Sequence, residues 1–110
     1  MYMPTELMNF SSLIGELNKL KPDLVVAFGS YLQDPYNARD LDILLISDVF
    51  EGVYYQHRRL LLPSKFNMLT IDAYCFTSEE FRSLFVADHP FIKAIKKNHV
   101  VLAGDFNGYF

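Results

Sequence analysis

A chain of 110 residues, 51% hydrophobic and 21% charged, has the length of one domain and enough apolar content for a core, which excludes a disordered segment. Its formal charge of −3, from 13 acidic and 10 basic residues, is the wrong sign for a free-standing nucleic-acid binder, so no direct nucleic-acid contact is expected. Apolar runs such as Ile43–Leu45 and Val100–Ala103 fall far short of the roughly 20 residues of a membrane-spanning helix, and no basic leader precedes an apolar stretch. The single cysteine, Cys75, can neither close an internal disulfide nor build a cysteine-rich zinc site. The expected setting is the reducing cytoplasm, with residues 1–110 forming a single domain.

Leu7, Phe10, Leu13, Ile14, Leu17 and Leu20 recur at spacings of three and four, which predicts a helix with one apolar stripe, stopped at Lys21-Pro22. Leu24–Phe28 reads as a buried strand ended by Gly29-Ser30, and Tyr31–Arg39 as an irregular polar stretch. Leu41–Ile46 is a second buried strand with Asp40 and Asp42 at its beginning. Asp48 and Glu51 predict a capped helix running to about Leu62, with Arg58-Arg59 on its solvated face. Met68–Phe76 is a third strand carrying one charge, Asp72. Thr77 and Glu80 form a capping box that opens a helix burying Phe81, Leu84 and Phe85. Asp88 is expected to cap a last helix, Pro90–Lys97, before a short strand at Val100–Leu102. The order α-β-β-α-β-α-α-β defines an α/β (α+β) fold, a small mixed sheet flanked by helices.

Two carboxylates stand where a strand should be dry. Side chains alternate along a strand, so Asp40 and Asp42 share a face about 6.5–7 Å apart, with Leu41, Ile43 and Leu45 on the other. Like charges on one face of an apolar strand repel and resist desolvation, which calls for a cation; oxygen donors suit Mg²⁺ or Mn²⁺. A short connection makes the first two strands antiparallel neighbours, bringing Gly29 and Ser30 beside Asp40. A helical crossover makes the second and third parallel, bringing Asp72 to the same edge. Three carboxylates, a glycine and a hydroxyl are the equipment of two-metal phosphoryl chemistry, with ions roughly 3.5–4 Å apart.

Phe28-Gly29-Ser30, a nine-residue spacer, then Asp40-Leu41-Asp42-Ile43, with Asp72 on a later strand, resembles the minimal nucleotidyltransferase domain of the polymerase-beta-like nucleotidyltransferase superfamily. That resemblance implies a nucleotidyltransferase fold and transfer of a nucleoside monophosphate, AMP from ATP, to an acceptor. Gly29 and Ser30 would bind the triphosphate. Asp40, Asp42 and Asp72 would be the catalytic residues and the ligands of Mg²⁺ or Mn²⁺. It also implies pairing with a helical HEPN-type partner protein, as in toxin–antitoxin pairs, and the aromatic-rich end, Phe106–Phe110, is expected to offer apolar surface for that partner or for a second copy. Two alternatives accompany this reading, an antitoxin-like module that neutralises such a partner by binding, and a nucleotide-binding domain without turnover.

Other residues invite less. His57, His89 and His99 are too scattered for a metal site, and Cys75 reads as a small buried hydrophobe. Arg39 either reaches a phosphate or ion-pairs with Asp42 or Asp34.

Overall fold

The computed structural model describes residues 9–110. Five strands, β1 (Leu24–Phe28), β2 (Asp40–Ile46), β3 (Lys65–Phe66), β4 (Leu69–Phe76) and β5 (His99–Gly104), form one mixed sheet in the order β3-β4-β2-β1-β5. The helices are α1 (Ser11–Leu17), α2 (Ser30–Gln33), α3 (Tyr55–Arg58), α4 (Ser78–Val86) and α5 (Pro90–Lys97). Neighbouring strands run antiparallel except β2 and β4, which are parallel. The expected α+β architecture is therefore present.

Both sheet faces are covered, which explains why β1 is an unbroken apolar run buried at every position. On one face Val25, Ala27, Leu41, Ile43 and Leu45 pack against Phe10, Leu13 and Leu17 of the α1 segment, with Tyr31 and Phe50. On the other, Leu24, Val26, Phe28, Leu44 and Ile46 meet Phe81 of α4 and Ile92 and Ile95 of α5.

The local signals hold unevenly. The capping box of α4 is complete: Glu80 N–H donates to Thr77 Oγ1, and Thr77 N–H donates to Glu80 Oε1 at 2.8 Å. The predicted N-terminal helix is shorter than its stripe. Its regular part begins at Ser11 and tightens into a 3₁₀ turn over Asn18–Leu20, while Leu7 lies outside the described residues. The continuous helix expected over 48–62 is absent. A 3₁₀ turn, Asp48–Phe50, is capped by Ser47, not by Asp48; Glu51 then turns extended and Gly52 takes a left-handed φ of 78°. Four residues of α3 and a 3₁₀ turn at Arg59–Leu61 follow. Backbone chirality at Gly52 breaks what the periodicity would continue.

Residues 30–33 form α2, where an irregular stretch was expected. Asn67 and Met68 both have positive φ and make a tight hairpin turn, so Met68 leaves the strand and the turn joins β3 to β4. His89, not Asp88, caps α5, its Nδ1 accepting from Phe91 N–H at 3.2 Å.

The terminal aromatics fold back on the domain and are partly buried. Phe106 stacks on His99 and Phe110 at centroid distances of 4.2 and 4.3 Å, and Tyr109 and Phe110 pack on Phe81. The segment packs against the core cluster that holds Phe81 of α4.

Arg58 is the largest departure from expectation. It is buried, with 6% of its side chain exposed. Its Nε donates to the Val53 carbonyl at 2.8 Å, its Nη1 to the Cys75 carbonyl at 3.2 Å, and its two terminal nitrogens grip both carboxylate oxygens of Glu80. That ties α3 to the end of β4 and the start of α4.

Candidate active site

The site lies where β1 ends and β2 and β4 begin. Phe28 is the register partner of Asp42, and Asp42 is in turn the partner of Asp72 across the parallel pair. Both carboxylates rise on the face that carries Leu44, Ile46 and, further along, α4 and α5. Asp42 is half-buried, and Asp40 and Asp72 are exposed.

Gly29 makes the close approach workable. Its φ of 88° with ψ of −159° belongs to a region essentially reserved for glycine. A Cβ there would stand 2.1 Å from Asp42 Oδ2. The backbone turn and the carboxylate therefore occupy one another's margins.

The electrostatics follow from this placement. Burial, then the charge and hydrogen bond of Asp72, then the charge of Asp40, raise the Asp42 pKa to about 6. A carboxylate that resists ionising beside two others is relieved by a divalent cation. Among the described residues no three carboxylate, imidazole or thiolate groups are close enough to hold a metal ion together. The close pair is Asp42 and Asp72, with Asp40 farther along β2. Two acidic oxygen donors of this kind fit Mg²⁺ or Mn²⁺.

Two cavities flank the carboxylates. One, of about 310 Å³, is lined by Ser30, Asp34, Asn37, Ala38, Arg39 and Asp40. Arg39 forms no ion pair among the described residues, so its guanidinium is available to this space. The other, of about 290 Å³, has Asp72 and Tyr74 on one wall and α3 on the opposite. Ser30 and Asp40 thus share a cavity as the topology implied, whereas Asp72 opens on the second.

Tyr74 was not singled out from the sequence, although strand alternation puts it on the face of Asp72. Its hydroxyl donates to Asp72 Oδ2 at 3.2 Å. Burial, with the charges of Asp72 and Asp42, pushes its pKa up to about 12, so it stays a donor. Its ring packs with Phe28 and Phe91 at centroid distances of 5.4 and 5.1 Å, closing the apolar side of the site.

Cys75 and the scattered histidines stay apart from this chemistry. Burial pushes the Cys75 thiol up to about 12, leaving it protonated and inert. His99 bonds the Ile95 carbonyl, and exposed His57 lies edge-on to Tyr54.

No family model matches the chain, and no curated protein matches it. Among solved structures it is similar to a crystal structure of a candidate nucleotidyltransferase from Sulfolobus solfataricus, at 14% identity and a TM-score of 0.48, over 99% of this chain and 96% of that one. At that distance the chemistry must be read from this chain's own residues.

Proposed function

We propose that the chain is a nucleotidyltransferase that moves a nucleoside monophosphate, AMP from ATP, to a hydroxyl acceptor in dependence on Mg²⁺ or Mn²⁺. The observation that carries this reading is the lateral pairing of Asp42 with Asp72 hard against Gly29, with the Asp42 pKa raised to about 6. A structural ion pair would lower that pKa; a site awaiting a cation leaves it high.

Asp42 and Asp72, the close pair, would hold the divalent cation, with Asp40 on the side of the triphosphate cavity. When bound, the ion neutralises phosphate charge and lowers the pKa of the attacking hydroxyl. The cavity holding Ser30 and Arg39 takes the triphosphate, the hydroxyl and guanidinium donating to phosphate oxygens and Gly29 letting the backbone approach. Asp72, on the opposite side, accepts the hydroxyl proton. The acceptor oxygen bonds to the α-phosphorus, the bond to pyrophosphate breaks, and the proton passes from Asp72 to water.

The test is calorimetric titration with ATP, with and without Mg²⁺, followed by a pyrophosphate-release assay on the wild type and Asp42→Asn. Metal-dependent binding lost in the variant supports the assignment. Equal ATP affinity in EDTA, unchanged by Asp42→Asn, removes it.

A further inference from the structure

The Asp72 side of the pair opens on the cavity of about 290 Å³ between α3 and the outer edge of β4, near the lower end of small-molecule sites at roughly 300 Å³. Tyr55, Gln56 and Arg59 form the wall facing Asp72 and Tyr74. Arg58 spends its donors on Val53, Cys75 and Glu80. Arg59, one residue on, makes no ion pair among the described residues, although Asp72 lines the same space. The cavity therefore presents a guanidinium and a carboxylate at separate stations, neither neutralising the other.

A second donor adjoins Arg59. Ile71 N–H points outward to the Ser64 carbonyl, and the Cys75 carbonyl points outward to Arg58, so the N–H of Ala73 between them faces the same way. β3 pairs with β4 only at Leu69 and Thr70, which leaves no strand beside Ala73. Ala73 and Arg59 also line an adjoining cavity of about 390 Å³ toward Ser64 and Thr70. A guanidinium beside an outward main-chain amide is a place for an anionic group.

We propose that this cavity is the acceptor subsite and that it selects a small hydroxylated anion, the anionic group at Arg59 and the Ala73 amide, the hydroxyl toward Asp72. The proposal rests on the nucleotidyltransferase reading of Asp40, Asp42 and Asp72, with a nucleoside triphosphate as co-reactant. The hydroxyl oxygen takes the nucleoside monophosphate, pyrophosphate leaves, and Asp72 takes the proton. Without Arg59, an anion would meet Asp72 with the Ala73 amide as its one opposing donor. With it, the acceptor is fixed at one end while its hydroxyl stays free at the other.

The test uses glycerol 3-phosphate, inorganic phosphate and glycerol as probes of the isotope-labelled protein without ATP, read by amide shifts. Glycerol 3-phosphate should bind tighter than phosphate, glycerol should bind weakest, and the shifts should centre on Gln56, Arg59 and Ala73. Arg59→Glu, checked for folding by its melting temperature, should weaken the first probe about tenfold or more, and Arg59→Lys should keep part of the affinity. With ATP and Mg²⁺ added, AMP should appear on glycerol 3-phosphate in preference to glycerol. Shifts confined to Arg39 and Asp40, or affinity unchanged by Arg59→Glu, overturn the subsite. Arg59-dependent binding with no transfer keeps the anion site and removes nucleotidyl transfer. Transfer to glycerol as readily as to its phosphate removes the selection for an anion.

Discussion

The Oδ2 of Asp42 sits 2.1 Å from the point where any residue other than glycine at position 29 would place its Cβ. Gly29→Ala is therefore a sharp probe of the site. The backbone conformation alone should cost roughly 1–3 kcal/mol, lowering the melting temperature by about 4–8 °C for each kcal/mol. The displaced carboxylate should also weaken metal-dependent ATP binding in the fraction that remains folded. Wild-type melting and wild-type ATP affinity together would show that the contact carries no functional constraint.

Asp42→Asn should separate function from folding in the opposite sense. The folded-state pKa of about 6 lies above the ordinary 3.8, so the stability linked to Asp42 is fully present below the lower value. It is lost as pH rises through 6. In metal-free buffer at pH 8 the asparagine variant should melt at or above the wild-type temperature while losing pyrophosphate release. At pH 4 the difference should shrink. A variant that unfolds at both pH values would make Asp42 a structural cap instead.

Divalent cation should act on the same titration. Because the ion competes with the proton on Asp42, the rise in melting temperature produced by Mg²⁺ or Mn²⁺ should be small at pH 5 and larger at pH 7. Differential scanning fluorimetry across that range reads it directly. A pH-independent increment, or none, counts against Asp42 as a ligand.

Arg58 and Glu80 make a separate, structural prediction. The hydrogen bond from Arg58 chiefly, with those from Thr77, lowers the Glu80 pKa to about 2 against the opposing effect of burial. The stability linked to this pair is present above about pH 4.5 and is lost as pH falls toward 2. Glu80→Gln should cost about 1–3 kcal/mol, below a fully buried pair because 44% of the Glu80 side chain is exposed. Arg58→Ala should cost more, since it also orphans the Val53 and Cys75 carbonyls and removes packing on Phe50 and Tyr55. Chemical denaturation of both variants gives the order. The reverse order would mean that the guanidinium's carbonyl contacts contribute little.

Much of this arrangement was legible before any coordinates. Strand alternation placed Asp40 and Asp42 on one face, and a connection long enough for a parallel crossover placed Asp72 beside Asp42, because both depend on periods and chain lengths that a sequence states outright. The capping box at Thr77 and Glu80 was readable for the same reason. What escaped depends on distant partners. Arg58 is buried by a carboxylate far along the chain and two carbonyls that no local pattern announces. Gly52 breaks a helix whose periodicity runs through it, and two residues of β3 are too few to show an alternation. Arg59 and Tyr74 became visible as site residues only when the cavity and the carboxylate beside them were in view.

The parallel register of β2 and β4 has one consequence for assembly. Asp42 and Asp72 meet only after the whole crossover has closed, and until then Asp42 titrates like any aspartate in an open chain. Closing the sheet at pH 5, between the ordinary value of 3.8 and the folded value of about 6, must draw about one proton out of solution onto this site. Refolding in weakly buffered solution would register that uptake as a transient alkaline step. The closing of this parallel pair would then announce itself to a pH indicator with no label on the protein.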